Sequence, residues 1–375
     1  SMVSFNLAFQ LLKSSSNLNK IFYIYPFNTL VEQNVSTLNE IFQGSDLQND
    51  ISVINSIVPI REEKYQEDGD VINKENTDYV KALLDRQFLH YPFILTTHVS
   101  MFRFLFSTNK EALFPLVQIS NSVLIFDEIQ SYKNSIWKEI ITFLNHYSKI
   151  LNIKIIIMSA TLPNLCRLSN TYIDYVDLIL DTDKFYQNPI FKKRVKPDYS
   201  LLKYKENILE ELKEHVLKTA KAENINILIE FITKRSANEF YEYLNNSGDI
   251  GSKNLRLLTG EDSSHERNKI VEEFKNNKNI ILVATQIIEA GVDLDADVGY
   301  KDISMIDSEE QFAGRINRNF KNIDKQGIMY FFKLDDAGVI YKGYVRKERR
   351  YTLENQNMRQ LSETKLFKKY SEKIM

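Results

Sequence analysis

Apolar residues recur along this chain with two periods that alternate. "SFNLAFQLL" sets Phe5, Ala8, Phe9 and Leu12 at i, i+3, i+4 and i+7, the spacing of an amphipathic helix. "KIFYIYP" is a short strand-forming run stopped by Pro26. "NTLVEQNVSTLNEIF" predicts a helix that Asn28 can cap. From Arg61 to Asp78 charge is dense and apolar residues are few, which reads as a surface loop. "DYVKALLDRQFL" predicts a helix, "PFILTTH" a strand with a polar end, "NSVLIFDE" a strand, "SIWKEIITFLNHY" a helix and "IKIIIMSAT" another strand. Periodicity lapses over residues 181–200, where two prolines occur, and then the alternation restarts. "NILEELKEHVLKTAKA", "SANEFYEYL" and "ERNKIVEEF" are helical; "INILIEF", "NIILVAT" and "GIMYFFKL" are strands; "SEEQFAGRINR" is a helix or tight turn. Strands alternating with helices predict an α/β fold, each half a mostly parallel sheet with helices on both faces. The expected division is a first domain over 1–184, a second over 185–342, and a basic, polar tail or accessory segment over 343–375.

Composition narrows the chemistry. The 375 residues suffice for two domains with cores of their own. The formal charge of -2 means that any grip on a phosphate backbone must come from local patches and backbone amides. A single cysteine excludes an internal disulfide and the usual multi-cysteine zinc site, and fits a reducing cytoplasm. No apolar run approaches the ~20 residues needed to span a bilayer, so no membrane partner is expected.

Four short stretches carry candidate chemistry. In "VLIFDEIQSY" (Val123–Tyr132) an apolar strand, of the kind that lies inside a parallel sheet, ends in two acids. Ligands of such folds sit beyond the carboxyl ends of strands. Successive strand residues point opposite ways, so of Asp127 and Glu128 one can hold Mg²⁺ through its waters and the other can orient or deprotonate an attacking water. Alone, two such acids more often just end a strand and favour the next helix N-terminus. "MSATLP" (Met158–Pro163) offers the small hydroxyls of Ser159 and Thr161, or simply a turn. In "VATQIIEAGVDLDAD" (Val283–Asp297), Thr285 could bond a nucleic-acid phosphate, Gly291 permits close approach or a positive φ, and Asp293 could accept from a ribose hydroxyl. The alternative there is a polar loop with a capping aspartate. In "QFAGRINR" (Gln311–Arg318), a helix would put Arg315 and Arg318 on one face, ready for phosphoryl charge or merely solvated.

The fixed order of the four stretches across two α/β halves resembles the superfamily 2, DExD/H-box helicases and translocases, with two tandem RecA-like domains. Within them "FDEIQSY", "ILVATQIIEAGVDLDADVGYKDIS" and "DSEEQFAGRINRN" look like the helicase portion of the CRISPR-associated type I helicase-nuclease, a resemblance that also takes in "YIYPFNTLVEQN" and "PFILTTHVSMFRFLF". It implies an ATP- and Mg²⁺-dependent motor of antiviral defence. Such a motor pulls single-stranded DNA 3′ to 5′ after recruitment by an RNA-guided surveillance complex. By this resemblance Asp127 would hold Mg²⁺ and Glu128 would position the hydrolytic water. Gln130 would sense the γ-phosphate, Ser159 and Thr161 would couple hydrolysis to strand grip, and Asp293, beside Gly291, would meet the nucleotide sugar. Gln311, Arg315 and Arg318 would reach the phosphates. Pro26, Asn28, Thr97, His98, Thr233, Thr285 and Gln286 would lie along the DNA path, with largely backbone contacts. His98 reads equally as a capping or core-edge histidine, and Thr233 as the start of a helix.

Two parts of the family pattern do not occur in the sequence. The phosphate-cradling Gly-x-x-x-x-Gly-Lys-Ser/Thr loop is absent; the resemblance places it just before "SFNLAFQLL", so a fragment that binds ATP weakly or not at all is expected. None of the five histidines is followed by aspartate, so no nuclease module, and no DNA cleavage, is expected. The alternative function is a non-hydrolysing nucleic-acid-binding or partner-docking module. The full set of Asp127, Glu128, Arg315 and Arg318 argues for the motor.

Overall fold

A computed structural model describes residues 2–48, 50–55, 74–132, 136–159, 161, 165, 172–173, 175–222, 224–247, 250–289, 291–320, 326–342 and 344–365. The chain forms two compact units: one from residues 1–132, 136–159 and 168–174, the other from 133–135, 160–167 and 175–375.

In the first unit α1 (Met2–Ser14), β1 (Lys20–Tyr25), α2 (Asn28–Ile41), β2 (Ile51–Ile54), α3 (Lys74–Gln87), β3 (Phe93–Thr97), α4 (His98–Phe106), α5 (Lys110–Ile119), β4 (Ser122–Phe126), α6 (Trp137–Ile150) and β5 (Lys154–Ile157) succeed one another. The strands lie in the order β2-β3-β1-β4-β5, all parallel. Alternate residues of β1 go to opposite faces. Ile21, Tyr23 and Tyr25 pack with Phe5 and Ala8 of α1 and with Val31 and Leu38 of α2. On the opposite face Phe126 stacks on Phe102 of α4. The first residues of the charge-rich stretch, 61–73, lie outside the described residues; its end is helical, since α3 starts at Lys74. Asn28 does not cap α2: Phe27 holds that position without a side-chain bond, and Asn28 is the first helical residue.

The second unit contains α7 (Thr182–Tyr186), α8 (Pro189–Lys192), β6 (Val195–Asp198), α9 (Ile208–Ala220), β7 (Ile227–Glu230), α10 (Lys234–Ser247), β8 (Asn254–Leu258), α11 (Ser264–Asn276), β9 (Ile280–Ala284), β10 (Val298–Asp302), α12 (Ile306–Ala313), β11 (Gly327–Phe332) and α13 (Gln356–Thr364). Its sheet runs β6-β11-β10-β7-β9-β8, again parallel throughout. Odd and even positions of β7 and β9 part cleanly. Ile227, Ile229, Ile281 and Val283 pack on α9 and α10, while Leu228, Leu282 and Ala284 pack with Phe274, Phe312, Leu353 and Met358. Leu353 and Met358 bring the C-terminal segment, as far as it is described, into this core. Among the described residues no helix is long and apolar enough to cross a membrane.

Two features of the second unit fix where α12 lies. The first is bare backbone: a Cβ on Gly299 of β10 would come within 2.6 Å of Ile316 Cδ1 and 2.7 Å of Phe312 Cε1. The second is a buried polar cluster at the ends of β7 and β10. Lys301, wholly buried, donates to Glu230 Oε1 at 2.5 Å and lies 3.4 Å from Glu289 Oε1. Glu309 accepts from the Ser304 amide at 2.8 Å, while its Oε2 is buried with no hydrogen-bond partner. Burial pushes the Glu309 carboxyl up to about 8, against the pull of Lys301 and with the push of Glu289 and Asp302.

Gly299→Ala is expected to destabilise the second unit by about 1–3 kcal/mol through overpacking against Phe312, read from urea unfolding; an unchanged midpoint would show that α12 can retreat freely. The Glu309 carboxyl makes a second prediction. Its folded pKa of about 8 exceeds the ~4.3 of an unfolded glutamate, so between those values the folded state keeps a proton that the unfolded chain has lost. That contribution is complete below pH ~4.3 and is lost as pH rises towards the folded value. Glu309→Gln, neutral at every pH, should lose less stability than the parent between pH 5 and 8. Parallel pH profiles for the two proteins would contradict this.

Candidate functional site

Parallel pairing collects strand ends. In the first unit the residues at or just past the ends of β1 (Pro26, Asn28), β3 (Thr97, His98), β4 (Asp127, Glu128, Gln130) and β5 (Ser159) all lie at the same end of the parallel strands. The β4 exit is tightly determined. The Asp127 amide donates to the Ile24 carbonyl at 3.0 Å, which prolongs the ladder by one residue. Its Oδ2 accepts from Tyr23 Oη at 3.2 Å and its Oδ1 from the Glu128 amide at 3.0 Å. Burial raises the pKa of this carboxyl. Glu128 then adopts φ 50° and ψ 49°, a left-handed conformation that non-glycine residues seldom hold without a compensating gain. Gln130 is buried and its Nε2 donates to Glu128 Oε2. Tyr23, missed in the sequence reading, also shares a hydrogen bond with Ser4 Oγ at 3.1 Å, so α1, β1 and Asp127 are linked through one phenol. Its trace in the sequence is the Tyr23–Tyr25 alternation in "FYIY", which puts two polar tips on one face of β1.

The neighbouring loops are shaped by capping. Thr97 Oγ1 accepts from the Ser100 amide at 3.4 Å and so caps α4. The His98 ring stacks on Tyr132 at 4.6 Å. Burial lowers its pKa, against the opposing pull of backbone at Tyr25 and Pro26. Both settings match the core-edge alternative for His98. Asn28 Oδ1 is buried and has no hydrogen-bond partner. Ala160, Leu162 and Pro163 of "MSATLP" lie outside the described residues; Ser159 belongs to the first unit and Thr161 to the second.

In the second unit Thr233 Oγ1 accepts from the Ser236 amide at 3.1 Å at the start of α10, the helix-starting role that its sequence context allows. Thr285 is buried at the end of β9, and Gln286 Nε2 donates to the Ile232 carbonyl at 2.7 Å. Gly291 has φ +73°, which explains glycine there. Asp293 bonds Lys275 at 2.8 Å and lies 3.4 Å from Arg318 Nε. Burial alone would raise its pKa, but Lys275, Arg318 and Arg315 outweigh burial and hold it low. Thr161 Oγ1 donates to Asp307 Oδ1, and Asp307 also pairs with the buried Arg346.

Arg315 and Arg318 do not share a helical face. The helix α12 ends at Ala313, Ile316 forms a bridge with Ala296, and Asn317 takes φ +46°. The pairing of residue 316 with the segment before β10 pulls the chain out of the helix just where a continued turn would have aligned the two arginines. Arg315 is turned onto main chain, with Nε on the Ile288 carbonyl at 2.9 Å and Nη2 on that of Glu289 at 2.5 Å. Arg318 is more than a third exposed beside Asp293. Gln311 sits half-buried on the last turn of α12.

The chain matches two family models: the DEAD/DEAH box helicase over residues 1–168, and the C-terminal part of the CRISPR-associated nuclease/helicase Cas3 over 223–321. Among curated proteins it is 28% identical over 291 residues to a putative CRISPR-associated nuclease/helicase Cas3 of Methanocaldococcus jannaschii, covering 74% of this chain and 38% of that protein. It is 24% identical to the Cas3 of Methanothermobacter thermautotrophicus, covering 83% of this chain and 37% of that one. The chain thus spans less than two-fifths of those relatives. Among solved structures, T. fusca Cas3 with ATP superposes with a TM-score of 0.69 at 15% identity, over 99% of this chain and 51% of that chain. An RNA-guided CRISPR surveillance complex in a pre-nicking state contains a chain at TM-score 0.63 and 15% identity, over 98% and 46%. The Mycobacterium smegmatis helicase Lhr bound to single-stranded DNA and AMP-PNP gives 0.52 at 15%, over 89% and 42%. At these identities the structures speak to fold, and both sheets are those of RecA-like domains. The two family models follow one another along the chain, and together with the sequence relatives they support a superfamily 2 helicase portion of Cas3 type.

Proposed function

We propose that this chain is the ATP-driven motor portion of a type I CRISPR helicase-nuclease, a translocase on single-stranded DNA that an RNA-guided surveillance complex recruits in the cytoplasm. One observation carries the reading. Asp127 and Glu128 leave the interior strand β4 with different fixings, Asp127 half-buried and accepting from the Tyr23 hydroxyl, and Glu128 turned into a left-handed conformation and held by Gln130. Two carboxylates with separately set positions are what metal binding and water activation require of adjacent acids. The ligands of the relatives support the reading: ATP in T. fusca Cas3, and single-stranded DNA with AMP-PNP in Lhr.

The residues present fit Mg²⁺. Asp127 offers hard carboxylate oxygens in a place where burial otherwise favours the proton, and a divalent cation would hold it ionised. Bound there, the ion would offset phosphate charge. Glu128 orients the attacking water and accepts its proton, and Gln130 fixes the carboxylate that does so. Asp293, with Gly291 beside it, faces the nucleotide sugar. Arg318, and with it Gln311 and Arg315, serve the phosphates, and Ser159 and Thr161 couple hydrolysis to grip. For the DNA path, Pro26, Asn28, Thr97, His98, Thr233, Thr285 and Gln286 mark the loops involved. Because the Thr97 hydroxyl is engaged as a cap, that position meets a phosphate with the N-terminus of α4, a sequence-tolerant mode, whereas the start of α10 at Thr233 already holds the Asp335 carboxylate.

ATP turnover by the 375-residue chain, with and without single-stranded DNA, tests the proposal. DNA-stimulated turnover should fall about a hundredfold or more in Glu128→Gln. Turnover that appears only when the chain is extended upstream by a phosphate-binding loop assigns the motor to the longer protein. No stimulation in either form would overturn the reading.

A further inference from the structure

The buried cluster of the second unit lies between two segments assigned to nucleotide chemistry, and one residue, Glu289, belongs to both of its connections. Through its main chain, Glu289 accepts from Arg315 Nη2 at 2.5 Å, while the preceding Ile288 carbonyl accepts from Arg315 Nε at 2.9 Å. Through its side chain, Oε1 accepts from Ser308 Oγ of α12 and lies 3.4 Å from Lys301 Nζ. Ser308 in turn shares a hydrogen bond with Ser304 Oγ at 2.9 Å, and Lys301 reaches Ser304 Oγ at 3.4 Å. Lys301, Glu230, Ser304, Ser308, Glu289 and Glu309 are all at most 9% exposed. A lysine placed there gives up its hydration, which only close, well-directed acceptors can offset. A buried hydrocarbon of the same length would stabilise the core without that cost, so packing alone does not account for an ammonium at this position.

We propose that Lys301 is a positioning residue for nucleotide turnover: from β10 it holds the Glu289 side chain against α12, and thereby sets the carbonyls on which the Arg315 guanidinium is seated. The proposal rests on the motor reading given above. Glu230, at the end of β7, anchors the ammonium at 2.5 Å beside Glu289, so Lys301 is tied to the sheet while it also reaches Glu289 and Ser304. Displacement of Glu289 would release both carbonyl contacts of Arg315 together with the Ser308 tie. Small misplacements of a charge-stabilising group are expensive in rate, whereas fold stability would register them little.

The test separates neutralisation from positioning. Lys301→Met alone strands Glu230 beside Glu289 and is expected to lower the melting temperature. Lys301→Met combined with Glu230→Gln removes the stranded charge and should restore it. If Lys301 only balances Glu230, the double variant also regains everything else. If it positions Glu289, hydrogen exchange at residues 286–289 and 306–315 remains about tenfold faster than in the parent, while exchange in α10 and β8 is unchanged. In the form of the protein that hydrolyses ATP, kcat then stays about tenfold or more down while KM moves little. Parent-like exchange in the double variant would overturn the proposal, and so would parent-like kcat. Loss of protection spread evenly over the second unit would also overturn it. If no form of the protein hydrolyses ATP, the motor reading falls by itself, and the exchange measurement still decides whether Lys301 holds the Glu289 segment on α12.

Discussion

Parallel pairing is the constraint on which the rest of this protein depends. All strand pairs in both sheets run the same way, so every strand of a sheet hands its succeeding loop to one common edge. Chain segments far apart in sequence then become neighbours without any direct attraction between the polar residues that matter. Asp127 demonstrates the effect. Its amide bonds the Ile24 carbonyl of β1, and its carboxylate takes the Tyr23 hydroxyl from that same strand. The position of the acid is set by sheet register, through residues that pack an apolar face. The left-handed turn at Glu128 comes next, where the ladder has just ended and the chain is free to bend.

The second unit applies the same rule with tighter packing. The helix α12 and the residues just after it approach β10 and β11 so closely that Gly299, against Phe312 and Ile316, and Gly327, against Ile316 and Asn317, have no room for a Cβ, and the Ile316–Ala296 bridge follows the end of the helix. Arg315 therefore faces the 288–289 carbonyls, and Arg318 faces Asp293. Helical periodicity would have put the two guanidiniums side by side. A non-local β-bridge, from Ile316 back to Ala296, decides otherwise, and it leaves no mark in the local spacing of "QFAGRINR".

The same contrast explains how far the fold was legible in the sequence. The strands β1, β3, β4, β7, β9 and β11 stand out as apolar runs because residues on both faces of each are shielded by helices; β5, an edge strand with Lys154 exposed, stands out only by its three isoleucines. The strands β2, β6 and β8 do not; they lie at sheet edges, where shorter and more polar sequences such as "ISVI", "VKPD" and "NLRLL" suffice. The interior strand β10 was missed for another reason. "VGYKD" carries a glycine, a lysine and an aspartate in an interior position. The glycine admits α12, the lysine joins the buried cluster, and Asp302 accepts the amides of Leu334 and Asp335 at 2.9 and 3.1 Å. Each breaks the apolar pattern for a tertiary reason. The strand-end acids, Gly291, Asp293 and the arginines were legible as residue types in a fixed order. Tyr23, Lys301 and the Asp307–Arg346 pair were not, because a residue that acts by holding another looks like core or surface until its partner is known.

A buried charge out of pattern can thus be informative. Transfer of an ammonium or a carboxylate from water to an interior costs several kcal/mol per ion even after relaxation. Lys301 with Glu230, and Arg346 with Asp307, are pairs of this kind, with both partners of each under 10% exposed. Both touch α12 or the residues that flank it: Lys301 through Glu289 and Ser304, Asp307 by belonging to its first turn. Apolar packing could hold α12 on the sheet, but it is non-directional and would tolerate sliding by a fraction of a turn. Charged hydrogen bonds fix the helix along its axis as well as against the sheet, because their strength falls steeply with angle and distance. The helix so fixed carries Gln311 and leads directly into Arg315. The placement of costly buried ions around this one short helix argues that its axial position, more than its burial, is what the sequence has been shaped to hold.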